Sequence, residues 1–144
     1  MECLLKNKGS VSFFLCLIAG SIIFSSCGDI FDYREKIARN YYLTEIDSRN
    51  HLSIGYKISE MSFITRVPPR VSAYSIVGDS LLVAKTKDDI NNVETVYIIN
   101  MRKDFDVAKP DDYLVAPPMS VAKYRLEWES VLRAKFISVP MNYK

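Results

Sequence analysis

Three rhythms of apolar and polar residues divide this chain. From Val11 to Phe24 the residues are mostly apolar, a run of 14 positions with Ser10 and Ser25 at its ends. From Tyr41 to Met101 apolar residues come in short runs that alternate with polar ones, the period of a strand with one buried face. Beyond Ser120 the spacing lengthens to three and four, the period of an amphipathic helix. The middle and last rhythms together predict an α+β fold. Its antiparallel β-sheet is built of hairpins in a meander, with one C-terminal amphipathic helix packed on it.

The strand boundaries follow from turn chemistry. Tyr41 to Ile46 is rich in β-formers, and Asp47-Ser48-Arg49-Asn50 is a turn cluster. Leu52, Ile54, Tyr56 and Ile58 then alternate with Ser53, Gly55, Lys57 and Ser59. That is the cleanest period-two stretch, and it predicts a half-buried strand paired with the first. Phe63 to Val67 reads as a short strand or edge piece, ended by Pro68-Pro69, neither of which can donate to a ladder. Val71 to Val77 and Ser80 to Thr86 flank Gly78-Asp79, a pair suited to a two-residue hairpin turn. Lys87 to Asn92 is a charged loop. Val93 to Met101 is the last long strand, and its Tyr97-Ile98-Ile99 centre predicts cover on both faces. Arg102 to Pro118 is a long polar connection, and Phe136 to Val139 offers a short terminal strand.

Ser120 has the chemistry to cap a helix running to about Arg133. Val121, Tyr124, Trp128, Val131 and Leu132 fall on one face, with Trp128 as the expected core anchor. Leu126 lies off that stripe. Glu129 and Arg133 stand in the favourable order for an i,i+4 pair.

The first apolar run is too short for a transmembrane helix, which needs about 20 residues. It has the length of a signal-peptide core, about 7–15 residues, and Lys6 and Lys8 supply the positive end before it. The run closes on Phe24-Ser25-Ser26-Cys27. Of the three cysteines, Cys3 precedes the run and Cys16 follows the bulky Phe14 and Leu15. Cys27 alone follows two small residues at its end. This order resembles the signal peptide and lipobox of bacterial lipoproteins, with Phe24 where leucine is usual. The resemblance implies cleavage between Ser26 and Cys27 and acylation of Cys27 by chains such as palmitate. It also implies an outer-membrane location, since the first acid after the cysteine comes at Asp29 and not directly after it. The expected organisation is a signal peptide over 1–26, a lipidated tether over 27–39 and a single domain over 40–144.

Cleavage would leave 118 residues with 17 basic and 16 acidic side chains, neither sign in a block. That balance excludes the basic face a nucleic-acid binder needs, and a polybasic membrane patch. Cys27 would be the sole remaining cysteine, so the domain has no disulfide to rely on. All nine tyrosines lie in this part, and tyrosine suits both strands and binding surfaces.

Candidate chemistry is sparse. His51 is the single histidine, at a turn opening a strand, and it is expected to face solvent and be structurally neutral. Common metal sites need several converging ligands. Asp104, Asp106, Asp111 and Asp112 share one loop, but without the spacing of a calcium loop, and hydration alone accounts for them. Tyr41 and Tyr42 beside Arg39, and Arg66 and Arg70 around the double proline, have the residue types of a protein-binding edge. The second half of the chain is similar to small bacterial lipoproteins of unassigned activity. It shares the Tyr97-Ile98-Ile99 strand and a polar loop, and where those proteins have a Gly-Pro step into an amphipathic helix it has Ala116-Pro117, a departure from the glycine. The expectation is a lipid-anchored binding or structural module without catalysis, cofactor or metal, acting on an envelope protein partner through its surface. The alternative is a small envelope hydrolase or metal-dependent enzyme using Asp104, Asp106, Asp111 and Asp112.

Overall fold

Two antiparallel sheets, not one, organise the chain. The structure is a computed structural model and describes residues 34–45, 51–88 and 90–139. The apolar run, Ser26 and Cys27 lie outside the described residues, as does the turn cluster at 47–50. The first sheet is a meander of β1 (Arg34–Ala38), β2 (Tyr41–Glu45), β3 (Leu52–Ser59) and β4 (Ser62–Val67), in that spatial order. The second contains β5 (Val71–Val77), β6 (Leu81–Asp88), β7 (Val93–Asn100), β8 (Met119–Ser120) and β9 (Ile137–Ser138), in the order β8-β7-β6-β5-β9. Among the described residues three short helices complete it: α1 (Pro110–Tyr113), α2 (Val121–Glu127) and α3 (Glu129–Leu132).

Pro68-Pro69 does more than end a strand. Val67 closes the first sheet and Val71 opens the second, so the double proline sits where the chain changes sheet. Arg70 completes the corner in the left-handed region, at φ 75°. Residues 34–38, assigned above to the tether, are instead a strand paired with β2, Arg34 opposite Thr44. The hairpin of β5 and β6 closes Val77 on Leu81, so its loop is Gly78-Asp79-Ser80, three residues and not two. Gly78 takes the positive φ of 61° that the turn requires.

Strand alternation divides the apolar residues between two cores. Between the sheets, Tyr41, Leu43, Ile54, Tyr56 and Val67 meet Val71, Tyr74, Leu82, Ala84 and Ile99. On the far face of the second sheet, Val83, Val96 and Ile98 meet Met119 and Tyr124, with Trp128, Leu132 and Phe136 partly buried beside them. The second sheet is therefore a middle layer, and Ile98 and Ile99 are both buried because its two faces are covered. β3 is also closed on both faces at its centre, where Ser53, Ile54, Gly55 and Tyr56 are all buried. The Ser53 and Thr44 hydroxyls pair across strands at 3.1 Å. Gly55 leaves room for Phe63, whose Cβ stands 3.1 Å from where a side chain at 55 would begin.

The C-terminal stripe is not one helix. Ser120 caps as its chemistry suggests, accepting from the Lys123 amide at 3.3 Å. The helix then breaks at Trp128, whose φ and ψ of −123° and −27° end α2. Arg133, at φ 48°, ends α3 in a left-handed turn. Tyr124 still faces the sheet and is fully buried. Trp128 is only half-buried, and Val131 turns outward at 70% exposure. The contact nearest an i,i+4 ion pair is Lys123 with Glu127 at 3.9 Å, in place of Glu129 with Arg133.

The anchor of this layer is thus Tyr124. Tyr124→Ala should destabilise the protein by about 3–5 kcal/mol, the cost of emptying a buried aromatic site. Trp128→Ala should cost clearly less. The Tyr124 hydroxyl is buried without a partner among the described residues, so Tyr124→Phe should leave stability unchanged or raise it. Urea unfolding of the three variants checks the order.

Candidate functional site

A buried ion pair joins the two sheets. Arg66, on β4, places its guanidinium NH2 group 2.8 Å from Asp104 Oδ1. Its Nε donates to Asp104 Oδ2 at 2.9 Å. The same NH2 donates to the Phe105 carbonyl at 2.7 Å. The two side chains are 4% and 0% exposed. The Tyr41 hydroxyl donates a short hydrogen bond to Asp104 Oδ2. Arg66 also lies over the rings of Tyr113, at 4.6 Å, and Tyr56, at 5.5 Å. Burial, reinforced by the neighbouring Asp104 carboxylate, pushes the Tyr41 hydroxyl far above the ordinary tyrosine range. It stays a neutral donor at every physiological pH.

Above this cluster opens a cleft of about 410 Å³, lined by Lys36, Arg39, Asn40, Tyr56, Met101, Arg102 and Asp104. Lys36 comes from β1, and Arg39 and Asn40 from the turn that joins it to β2. Arg39 is held in the left-handed region at φ 43°. Such a conformation costs about 1–2 kcal/mol for a residue with a side chain. Met101 and Arg102 follow β7, fixed by the Met101 amide donating to the Ser80 carbonyl at 2.8 Å. That contact brings Arg102 to Asp79, which it grips with two hydrogen bonds of 2.7 and 2.8 Å. The grip holds the Asp79 carboxyl below the usual carboxylate range. Among the described residues, no ion pair holds Lys36 or Arg39. Tyr56 accepts from the Asn40 side-chain amide at 3.2 Å. Its own proton goes to no described residue.

The residues singled out from the sequence are scattered by this arrangement. Tyr41 is fully buried and cannot present itself to a partner. Tyr42 is half-buried, edge-on to Phe63 at 5.4 Å. Arg66 is buried in the ion pair, and Arg70 reaches Asp88 at 3.2 Å. The expected binding edge of Tyr41, Tyr42, Arg66 and Arg70 is therefore corrected, because two of the four are structural. The four aspartates do not converge either. Asp104 is buried, Asp106 is exposed, and Asp111 and Asp112 occupy the first turn of α1. Asp112 folds back to accept from the Lys109 amide at 2.8 Å. Among the described residues no group of three acidic, cysteine or histidine side chains stands ready for a metal ion. His51 is half-buried just before β3. Lys36 and Arg102 were missed, and Arg39 was noted only as a neighbour of Tyr41 and Tyr42, since each is an ordinary surface cation until the sheets stack. The available signal was Arg39-Asn40, a turn pair between two strands.

No protein-family model, curated protein or solved structure matches this chain.

Two outcomes test the cluster. Asp104→Ala strands a buried guanidinium and should cost about 3–5 kcal/mol in urea unfolding. The second concerns pH. Because Tyr41 is raised in the folded state, its contribution is fully present below the unfolded value near 10 and is lost as pH rises toward the folded one. Tyr41→Phe should make the fall of stability above pH 10 shallower by about 1.4 kcal/mol per pH unit. Urea midpoints between pH 8 and 11 measure the difference.

Proposed function

We propose that this protein is a binding module of the bacterial cell envelope, held to the membrane by acyl chains on Cys27. Its ligand is anionic and enters the cleft between the β1–β2 turn and the end of β7. The observation that carries this reading is the cleft itself, with Lys36, Arg39 and Arg102 around one carboxylate whose charge Arg66 already balances. Such a concave site with few polar groups is the usual form of a small-ligand site. It supports binding and not acid–base chemistry, because both oxygens of Asp104 are engaged by Arg66 and one also by Tyr41. An acid or base in catalysis needs a proton-transfer partner within reach.

The anchoring half rests on Lys6, Lys8, the Val11 to Phe24 run and Ser25-Ser26-Cys27. Each buried methylene contributes about 0.8 kcal/mol, so two or more chains hold durably where one does not. Residues 34–38 are strand and belong to the first sheet, not to a spacer.

In cells fed labelled palmitate, the natural chain should take up label and fractionate with membranes, and Cys27→Ala should do neither. Label retained in Cys27→Ala would refute the anchor. For the cleft, Lys36→Glu with Arg102→Glu should abolish stabilisation by added anions. A midpoint that answers to anions equally in both proteins would remove the cleft from the function.

A further inference from the structure

We infer that the cleft is built for a phosphomonoester dianion. This rests on the anionic-ligand reading above and names its chemistry. The charges around the cleft resolve into pairs and a remainder. Asp104 is neutralised by Arg66, and Arg102 by Asp79. Lys36 and Arg39 remain, both exposed and without an ion-pair partner among the described residues. Arg39 lies near enough to Asp79 to help hold its carboxyl low, but Asp79 is already gripped by Arg102, so the lining keeps a positive excess over its carboxylates. A phosphomonoester carries about −1.5 to −2 at pH 7, and a carboxylate or a phosphodiester only one negative charge.

Hydrogen bonding points the same way. Lys36 and Arg39 are donors without acceptor capacity. Tyr56 accepts from Asn40, and its own proton goes to no described residue. A terminal phosphate offers three acceptor oxygens to three such donors. The remaining carboxylate at the cleft, Asp104, has its charge balanced by Arg66 and its Oδ2 shared by Arg66 and Tyr41, so it adds no unpaired negative charge to the cleft.

Arg39 adds a separate observation. It is a left-handed residue with a side chain in a two-residue turn, where glycine would sit without strain. Arg70 and Arg133 share that backbone region at a sheet corner and a helix end, so what sets Arg39 apart is its place on the lining of the cleft.

The shared chemistry has two sources, a soluble phosphomonoester or a lipid headgroup that ends in one. The experiment uses the full acylated chain in detergent micelles, with its unfolding midpoint read at fixed ionic strength. The probes are glycerol 3-phosphate in solution, phosphatidic acid doped into the micelles, and acetate and methyl sulfate as monoanions. Glycerol 3-phosphate or phosphatidic acid should raise the midpoint at pH 7.5, and whichever acts identifies the source. The apparent affinity should fall about tenfold by pH 5, where the second phosphate proton, of pKa about 6, is back on. Lys36→Met and Arg39→Gly should each weaken binding about tenfold or more. Arg39→Gly should do so without lowering the unliganded midpoint, which separates lost binding from a damaged fold. If acetate or methyl sulfate stabilises as well as the phosphomonoesters, through Lys36 and Arg39, the dianion inference is overturned while the anionic cleft stands. If no anion acts through those residues, both fall.

Discussion

A guanidinium and a carboxylate buried at 4% and 0% exposure are costly groups to take out of water, and this fold cannot release either alone. Arg66 belongs to the last strand of the first sheet, and Asp104 to the loop that follows the third strand of the second. Tyr41 reaches the same carboxylate from β2. Three separate chain segments are thus held by one charge. Apolar residues of similar volume would hold the sheets together about as well, so the pair is not explained by stability. Its effect is positional. It fixes where the loop after β7 lies against the first sheet, and that placement makes the floor and one wall of the cleft.

The division of labour follows ordinary scaffold physics. The paired strands supply rigidity, and the groups that would meet a ligand sit on the β1–β2 turn and just past β7. The middle layer is apolar on both sides, so its strands have little freedom to shift register. A one-residue slip of β7 would exchange Ile98 for Ile99 between two different cores.

Much of this was legible in the sequence where the signal is local. The pairing of β2 with β3 follows from period-two alternation in Leu52 to Ile58, and that of β5 with β6 from Gly78-Asp79. Ser120 is a cap in sequence and in structure. The second sheet was not legible, because Pro68-Pro69 reads equally as the end of a strand or as the corner between two sheets. The tether was drawn too long because Arg34, Glu35 and Lys36 look solvated. Glu35 and Lys36 are, while Arg34 is half-buried over Phe63, and an edge strand can carry charges on its open side. Trp128 misled because helical spacing alone cannot show a break in the backbone. The ion pair and the cleft were invisible for a deeper reason. Arg66 and Asp104 are 38 positions apart, and nothing in either neighbourhood distinguishes a buried charge from a solvated one.

That separation also orders the events of synthesis. A chain emerges N-terminus first, at about 5–20 residues per second in cells. The whole first sheet is out when Val67 appears, and Arg66 then has the rings of Tyr56 beside it but no counter-charge. Its partner arrives only after β5, β6 and β7 have followed. Until then the first sheet carries a cation on the face destined for the core, which keeps that face wet. Without the segment bearing Asp104, sealing the sheets would bury the Arg66 charge alone, at a cost of about 3–5 kcal/mol.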